Sequence, residues 1–475
     1  MPTIYFSSKV HHFAMKTSKF LLLVCLLATL ILGAGPYVSA DSSGTWISQP
    51  CGSQTILRGV SFVDSQRGWV VGNDGTILTT SNGGEDWTTQ SIGIDVDFYG
   101  VSFPDSLHGW ACGYRPGGFG GYIYVTSDGG LTWIEQLHIS NVIFSDILFV
   151  DSSHGWAVGT GGIWATSDGG TTWNKQYGGS SISLGGVSFV DSTHGWAVGF
   201  NNAIPSSLIL TTSNGGVTWT EQGEPITFEG FPAGLGDVFF IDSTHGCIVG
   251  GYGTILTTSD GGLTWIQRIT DAYVGSEDGT ITRVSFADLS HGWAVGNWMI
   301  LETTDGGTSW SLQRLYQDDI ALRDVFFVDS SHGWAVGWKH AGTGTILKYT
   351  PTVSGVDIDV KPGTEPNSVN LKSKGLLPVA ILGSSSFDVI TVNPATINIG
   401  VVQLASRGSA KTPKLAYSLS DVNSDGYLDL VANFEIQALV NAGVLTPTTV
   451  TLTLKANLYD TTPIEGTDSA NIVPR

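Results

Sequence analysis

Asp421, Asn423, Asp425 and Asp429 put oxygen side chains at positions 1, 3, 5 and 9 of one short segment, with Gly426 at position 6. That spacing can wrap a chain around Ca2+, because alternate oxygens converge and the glycine permits the sharp turn. Tyr427 would add its backbone carbonyl. Position 12, where an EF-hand carries Glu, is Ala432, and apolar Leu430 and Val431 precede it. The plainer alternative is a polar glycine turn without an ion. Extracellular calcium is concentrated enough to fill even a weak site of this kind.

A second set could hold a partner. Arg58, Arg283 and Arg323 stand among few other cations, and Trp298 and Trp338 follow strands whose own packing needs no tryptophan there. Arginine and aromatic anchors together are the usual composition of interface hot spots. Ordinary ion pairs and rim packing are the bland alternative.

Two further sets lose their chemistry once their repetition is seen. Asp128, Asp168, Asp260 and Asp305 share one turn position with Asn82 and Asn214. An acid that exchanges freely with an amide caps a turn and moves no proton. His108, His154, His194, His245, His291 and His332 share another, where Arg67 stands in the first repeat. Spread over different repeats, these histidines are too far apart to share a metal.

The elements that position these residues recur along the chain. One unit runs Gly59-Val60-Ser61-Phe62-Val63-Asp64-Ser65, then Gly68-Trp69-Val70-Val71-Gly72, Thr76-Ile77-Leu78-Thr79-Thr80 and Asn82-Gly83-Gly84-Glu85-Asp86-Trp87. Its first valine recurs as Val60, Val101, Ile147, Val187, Val238, Val284 and Val325. A period of about 40–50 residues with four short runs is the sequence form of a propeller blade. Strand A is the Val-Ser-Phe-Val run, strand B starts at Trp69, strand C covers 76–80 and strand D starts at Trp87. The seventh unit has A, B and C but stops at Thr350-Pro351. Its missing turn and strand D stand at the other end, in Asp41-Ser42-Ser43-Gly44-Thr45-Trp46 and Ile47-Ser48. The expected fold is all-β: a seven-bladed β-propeller over 41–350, closed by an N-terminal strand so that no seam stays open, then a β-sandwich-like domain over 351–475.

The turn Thr126-Ser127-Asp128-Gly129-Gly130-Leu131-Thr132-Trp133 matches the Asp-box of sialidase-type propellers and recurs up to Trp87, Trp173, Trp219, Trp265 and Trp310. With Gly-Trp-Ala-Val-Gly in strand B, the unit resembles the photosystem II stability and assembly factor family over about 310 residues. The resemblance implies a non-catalytic scaffold that binds a protein partner and an arginine-rich patch on its loop face. It does not by itself imply photosynthesis.

Length variation concentrates in the B–C and D–A connections, which share one face: 114–122, 200–207, 220–235 and 270–280. Variable loops on a rigid scaffold are where recognition concentrates. Arg58 and Arg323 precede strand A at equivalent positions and Arg283 sits one residue later, so the three are expected to ring one side of the channel mouth. A cell-surface glycan-binding or sialidase-like glycan-hydrolysing propeller is the alternative. Hydrolysis needs two positioned carboxyl groups, and the loop acids Asp95, Asp97, Glu224, Glu229, Asp271, Glu277, Asp318 and Asp319 read as solvated. Inner-strand carboxylates facing the channel would favour the enzyme, and an uncharged channel would sink it.

Lys16 and Lys19, the apolar run 20–32 and Val38-Ser39-Ala40 read as a signal peptide over 1–40, which implies secretion. Retention of that run as an anchor is the alternative; no second apolar span follows. A formal net charge of −20 argues against nucleic acid or an anionic membrane as partner, leaving a protein or a cell-surface polymer. Cys51, Cys112 and Cys247 form no disulfide framework and read as small buried hydrophobes.

Beyond Pro351 the repeat vanishes. Val356-Asp357-Ile358-Asp359-Val360, Leu377-Pro378-Val379-Ala380-Ile381-Leu382 and Thr449-Val450-Thr451-Leu452-Thr453-Leu454 read as strands, with a short helix over 435–442. The 421–429 loop resembles the calcium hairpin of integrin-type repeats more than an EF-hand. Lys361-Pro362-Gly363, Pro366-Asn367-Ser368 and Lys374-Gly375 resemble an uncharacterised module of secreted microbial proteins.

Overall fold

The computed structural model describes residues 44–90, 93, 95–117, 120–223, 226–228, 231–268, 279–315, 320–339, 342–384, 387–407, 414–459 and 462–473. The expected signal segment 1–40, much of the 270–280 loop, and the acids Glu224, Glu229, Asp271, Glu277, Asp318 and Asp319 lie outside them.

Each complete repeat folds as one antiparallel four-stranded sheet. In the first, Leu57–Phe62, Gly68–Gly72, Ile77–Thr80 and Thr88–Gln90 pair in chain order. Strand B is buried along its whole length while strand D is largely exposed, so each sheet grades from core to surface. The Asp-box turn needs two successive left-handed residues, supplied in the first repeat by Gly83 and Gly84 at φ of 69° and 86°. Inside it, Asp128 accepts from the Thr132 N–H at 2.9 Å and from the Thr132 hydroxyl at 2.6 Å, as a turn cap does. The histidines likewise bond the aspartate of their own turn, as in His154 Nδ1 to Asp151 Oδ2 at 2.9 Å.

Neighbouring sheets pack through one recurring pair. The strand B tryptophan lies flat on the strand A phenylalanine of the next repeat: Trp69 on Phe103, Trp110 on Phe149, Trp156 on Phe189, Trp196 on Phe240 and Trp293 on Phe327, at centroid distances of 3.5–3.6 Å. Trp334 of the seventh repeat stacks on Phe62 of the first at 3.5 Å. The first glycine of strand B is required here, since a Cβ on Gly68 would lie 2.3 Å from the Phe62 ring.

The seventh repeat supplies Ala321–Asp329, His332–Lys339 and Thr343–Pro351. The fourth strand of that sheet is Gly44–Gln49, antiparallel to Thr343–Pro351 with Trp46 opposite Tyr349. Trp46 is buried against Phe327 and Tyr349 at 5.7 and 5.4 Å. Cys51, Cys112 and Cys247 are free and buried.

After Pro351, one sheet contains Ile358–Val360, Leu376–Ile381, Asp429–Glu435 and Tyr417–Ser420. Another contains Ser354–Gly355, Pro463–Ser469, Thr451–Asn457, Asn398–Ile399 and Val402–Gln403. Val379, Ile381, Ala432 and Phe434 of the first share one core with Leu452, Leu454 and Ile464 of the second. The helix is Ile436–Asn441. Asn367 is buried and donates to Asp468 Oδ2 at 2.9 Å, which gives one residue of the resembled module a structural task. No helix among the described residues is long and apolar enough to cross a membrane.

Candidate functional site

The first strands of all repeats line one central cavity of about 280 Å3. The residue directly before the recurring valine is Gly59, Gly100, Asp146, Gly186, Asp237, Arg283 and Asp324 in chain order, and Gly100, Asp146, Asp237, Arg283 and Asp324 line the cavity. Three carboxylates and one guanidinium therefore share an inner-strand layer, whereas the acids weighed from the sequence were loop residues. In the sequence they stand directly before the recurring apolar residue, as Ser-Asp-Ile147, Gly-Asp-Val238 and Arg-Asp-Val325.

Each carboxylate reaches into the next repeat. Asp146 accepts the Val187 N–H at 3.1 Å, Asp237 the Val284 N–H at 3.0 Å and Asp324 the Val60 N–H at 2.8 Å. The remaining repeats make the same bridge from a serine two residues further on. Ser61 accepts from Phe103 N, Ser102 from Phe149 N, Ser188 from Phe240 N and Ser285 from Phe327 N, at 3.0–3.2 Å. Where the bridge is an aspartate, the serine position is instead Leu148, Phe239 or Phe326. Each junction thus uses one polar side chain to satisfy one strand A amide.

Arg283 was expected at the channel mouth with Arg58 and Arg323; the structure places it inside the channel. Its side chain is 17% exposed, donates to the carbonyls of Gly236, Thr282 and Ser145, and comes within 3.8 Å of Asp324. The reason is charge balance, because three mostly buried carboxylates need a cation. Burial pushes Asp324 up to about 7 and Asp237 up to about 6, with Arg283 opposing in both. Burial also raises Asp146. One guanidinium cannot hold three neighbouring carboxylates ionised in low dielectric.

Arg58 and Arg323 do remain at the loop end of the strands. Each lies over an aromatic ring: Arg323 over Trp338 at 4.3 Å and Arg58 over Tyr99 at 4.5 Å. Arg58 Nε also donates to Asn73 Oδ1. Arg323 Nε is buried and has no hydrogen-bond partner. Burial, followed by the charges of Arg58 and Arg283, holds the Arg323 pKa below its usual value. Trp298 is 37% exposed on its turn at φ 63°, its N–H bonded to Ile320 O at 3.2 Å.

In the 421–429 loop, Asp421 accepts from Asp425 N and Gly426 N at 3.2 and 3.0 Å, and Asp425 accepts from Tyr427 N at 2.9 Å. Asn423 turns its amide nitrogen to Asp425 Oδ2 at 2.9 Å. Asp421, Asn423 and Asp425 are exposed together, whereas Asp429 is fully buried. Its oxygens accept from Gly383 N and Val422 N at 2.9 and 2.7 Å, which fixes the loop's base. No group of three His, Cys, Asp or Glu among the described residues is arranged to hold a metal ion. The donor set still suits a hard cation in chemistry: three exposed side chains with oxygen donors and a carbonyl on one turn.

Repeated four-stranded sheets around a polar channel define a β-propeller with a cationic, aromatic-backed patch at its loop end. The family model for the photosynthesis system II assembly factor YCF48 matches residues 38–142 and 226–315, and those two stretches are similar to that family. A solved structure of YCF48 from Cyanidioschyzon merolae is 20% identical, with a TM-score of 0.52, covering 64% of this chain and 98% of that one. Another, described as YCF48 bound to D1 peptide, is 19% identical with a TM-score of 0.50, covering 66% of this chain and 98% of that one. These identities speak for the fold. No curated protein matches.

Proposed function

We propose that residues 41–350 form a closed seven-bladed propeller, exported by the 1–40 signal, that binds a protein partner non-enzymatically on its loop-rich face. Support for closure comes from the Trp334–Phe62 stack, the Asp324–Val60 bridge and the N-terminal strand beside Thr343–Pro351. The β-sandwich-like domain from 351 carries a Ca2+ loop formed by Asp421, Asn423, Asp425, the Tyr427 carbonyl and the second lone pairs of Asp429.

The observation that carries the binding reading is Arg323. Its guanidinium face is covered by Trp338, its Nε lacks a partner, and Arg58 and Arg283 add like charge. An incoming carboxylate would relieve the repulsion on this half-buried guanidinium, and an aromatic-backed guanidinium presents its edge for planar recognition. The partner segment is therefore an acidic side chain or a chain terminus in an extended peptide. The solved structure described as YCF48 bound to D1 peptide supports a peptide as the kind of partner.

The experiment is cross-linked capture from the native extracellular fraction by the mature protein, beside Arg323→Ala and Trp338→Ala. Loss of the captured protein at unchanged melting temperature supports the site, and undiminished capture moves it elsewhere. The channel carboxylates are what favours the glycan-cleaving alternative. Their engagement with strand A amides makes them junction supports, so turnover of aryl glycosides that Asp237→Asn abolishes would be needed to restore it.

A further inference from the structure

The Trp-on-Phe stack is interrupted between the fifth and sixth repeats. Cys247 stands where the other repeats have Trp69, Trp110, Trp156, Trp196, Trp293 and Trp334. The next repeat still supplies the receiving surface, with Phe286 in the place of Phe62, Phe103 and Phe240. Phe286 is only partly buried, whereas those three are 3–6% exposed, because no indole covers its outer face. A cavity enclosing about 40 Å3 remains there, lined by Phe239, Gly246, Thr258, Phe286, Leu289 and Gly306 among others. His245 and Leu289 at its rim are exposed.

The other junctions show what such a slot accepts. Trp69, Trp156, Trp196 and Trp334 each donate the indole N–H to the first glycine carbonyl of the next Asp-box: Gly129, Gly215, Gly261 and Gly83, at 2.9–3.2 Å. Gly306 is the matching glycine at the interrupted junction and lines the cavity. Trp310 stands edge-on to Phe286 at 5.9 Å, as Trp87 stands to Phe62 at 6.0 Å, so the wall behind the slot is intact. The Thr257 methyl stands beside Gly307.

We propose that this slot is a binding site for an indole ring, which stacks on Phe286 and donates its N–H to the Gly306 carbonyl. The enclosed space is smaller than the dry cavity of about 150 Å3 that takes benzene. A bound ring is therefore only partly covered and its affinity is weak, around the millimolar range. This site is independent of the arginine patch.

The test is saturation-transfer NMR on the full mature chain with 3-methylindole, 1-methylindole and N-acetyltryptophanamide. Saturable binding of 3-methylindole, at least threefold tighter than 1-methylindole, is expected because methylation removes the donor. Binding of N-acetyltryptophanamide as tight as 3-methylindole assigns the slot to a tryptophan side chain; much weaker binding assigns it to the free heterocycle. Cys247→Trp should fill the slot with the chain's own indole, raise the melting temperature and abolish binding. Leu289→Trp, at the rim and away from the core, should block entry if the first variant folds poorly. The absence of saturable binding to the native chain, or binding unchanged in both variants, overturns the proposal.

Discussion

The carboxylate of Asp324, in the seventh repeat, accepts the backbone N–H of Val60, in the first, at 2.8 Å across 264 positions of sequence. Its other oxygen accepts from Val325 N at 2.9 Å, so one side chain ties the ends of the repeat array to each other. Replacing it with Ala leaves the Val60 amide without that acceptor. A loss of about 1–3 kcal/mol in urea unfolding is expected, with Asp324→Asn costing less because its amide oxygen can still accept.

The same group gives the channel a pH dependence. An aspartate whose folded pKa is about 7 binds its proton more tightly folded than unfolded. Its contribution is full below the unfolded value near 3.9 and fades as pH rises through 7. Asp237, at about 6, acts in the same direction. Melting temperature should fall between pH 5 and pH 8, and Asp324→Asn should flatten that slope. An equal slope in the variant would place the titration elsewhere.

Arg283 should behave as a structural cation. Arg283→Met removes the counter-charge of three mostly buried carboxylates, so a cost of about 3–5 kcal/mol is expected. Denaturation curves measure it. Arg323→Ala should change stability far less while removing partner capture, and the two variants together separate the roles of two neighbouring arginines.

Trp46 should hold the N-terminal strand in its sheet. Buried against Phe327 and Tyr349, it should cost about 3–5 kcal/mol on replacement by Ala. Faster proteolysis near residue 44 than in the native chain is the accompanying signal.

In the C-terminal domain, Asp421→Ala should remove any rise in melting temperature that calcium confers on the native chain. Asp429→Ala should destabilise with calcium or with chelator, since its oxygens hold the Gly383 and Val422 amides. Melting of the native chain that is indifferent to chelation would remove the ion from the account.

The sequence by itself determined the repeat, its strand order and its turns. These depend on local rules: alternation within short strands, left-handed glycines at Gly83 and Gly84, and an aspartate or asparagine capping each Asp-box. It also pointed to Trp46 and the strand after it as the missing fourth strand, because an unfinished unit at one end needed a fragment at the other. Only the tertiary structure decided which charges meet. Asp146, Asp237 and Asp324 differ from Gly59, Gly100 and Gly186 in side chain alone, and nothing local says that they reach amides 41, 47 and 264 positions away. Arg283 and Arg323 are one register step apart in successive repeats. That step turns the first into a channel whose acids require it and leaves the second on Trp338 at the loop end. The empty place beside Cys247 belongs to the same class, since it exists only once the Phe286 face is brought against it.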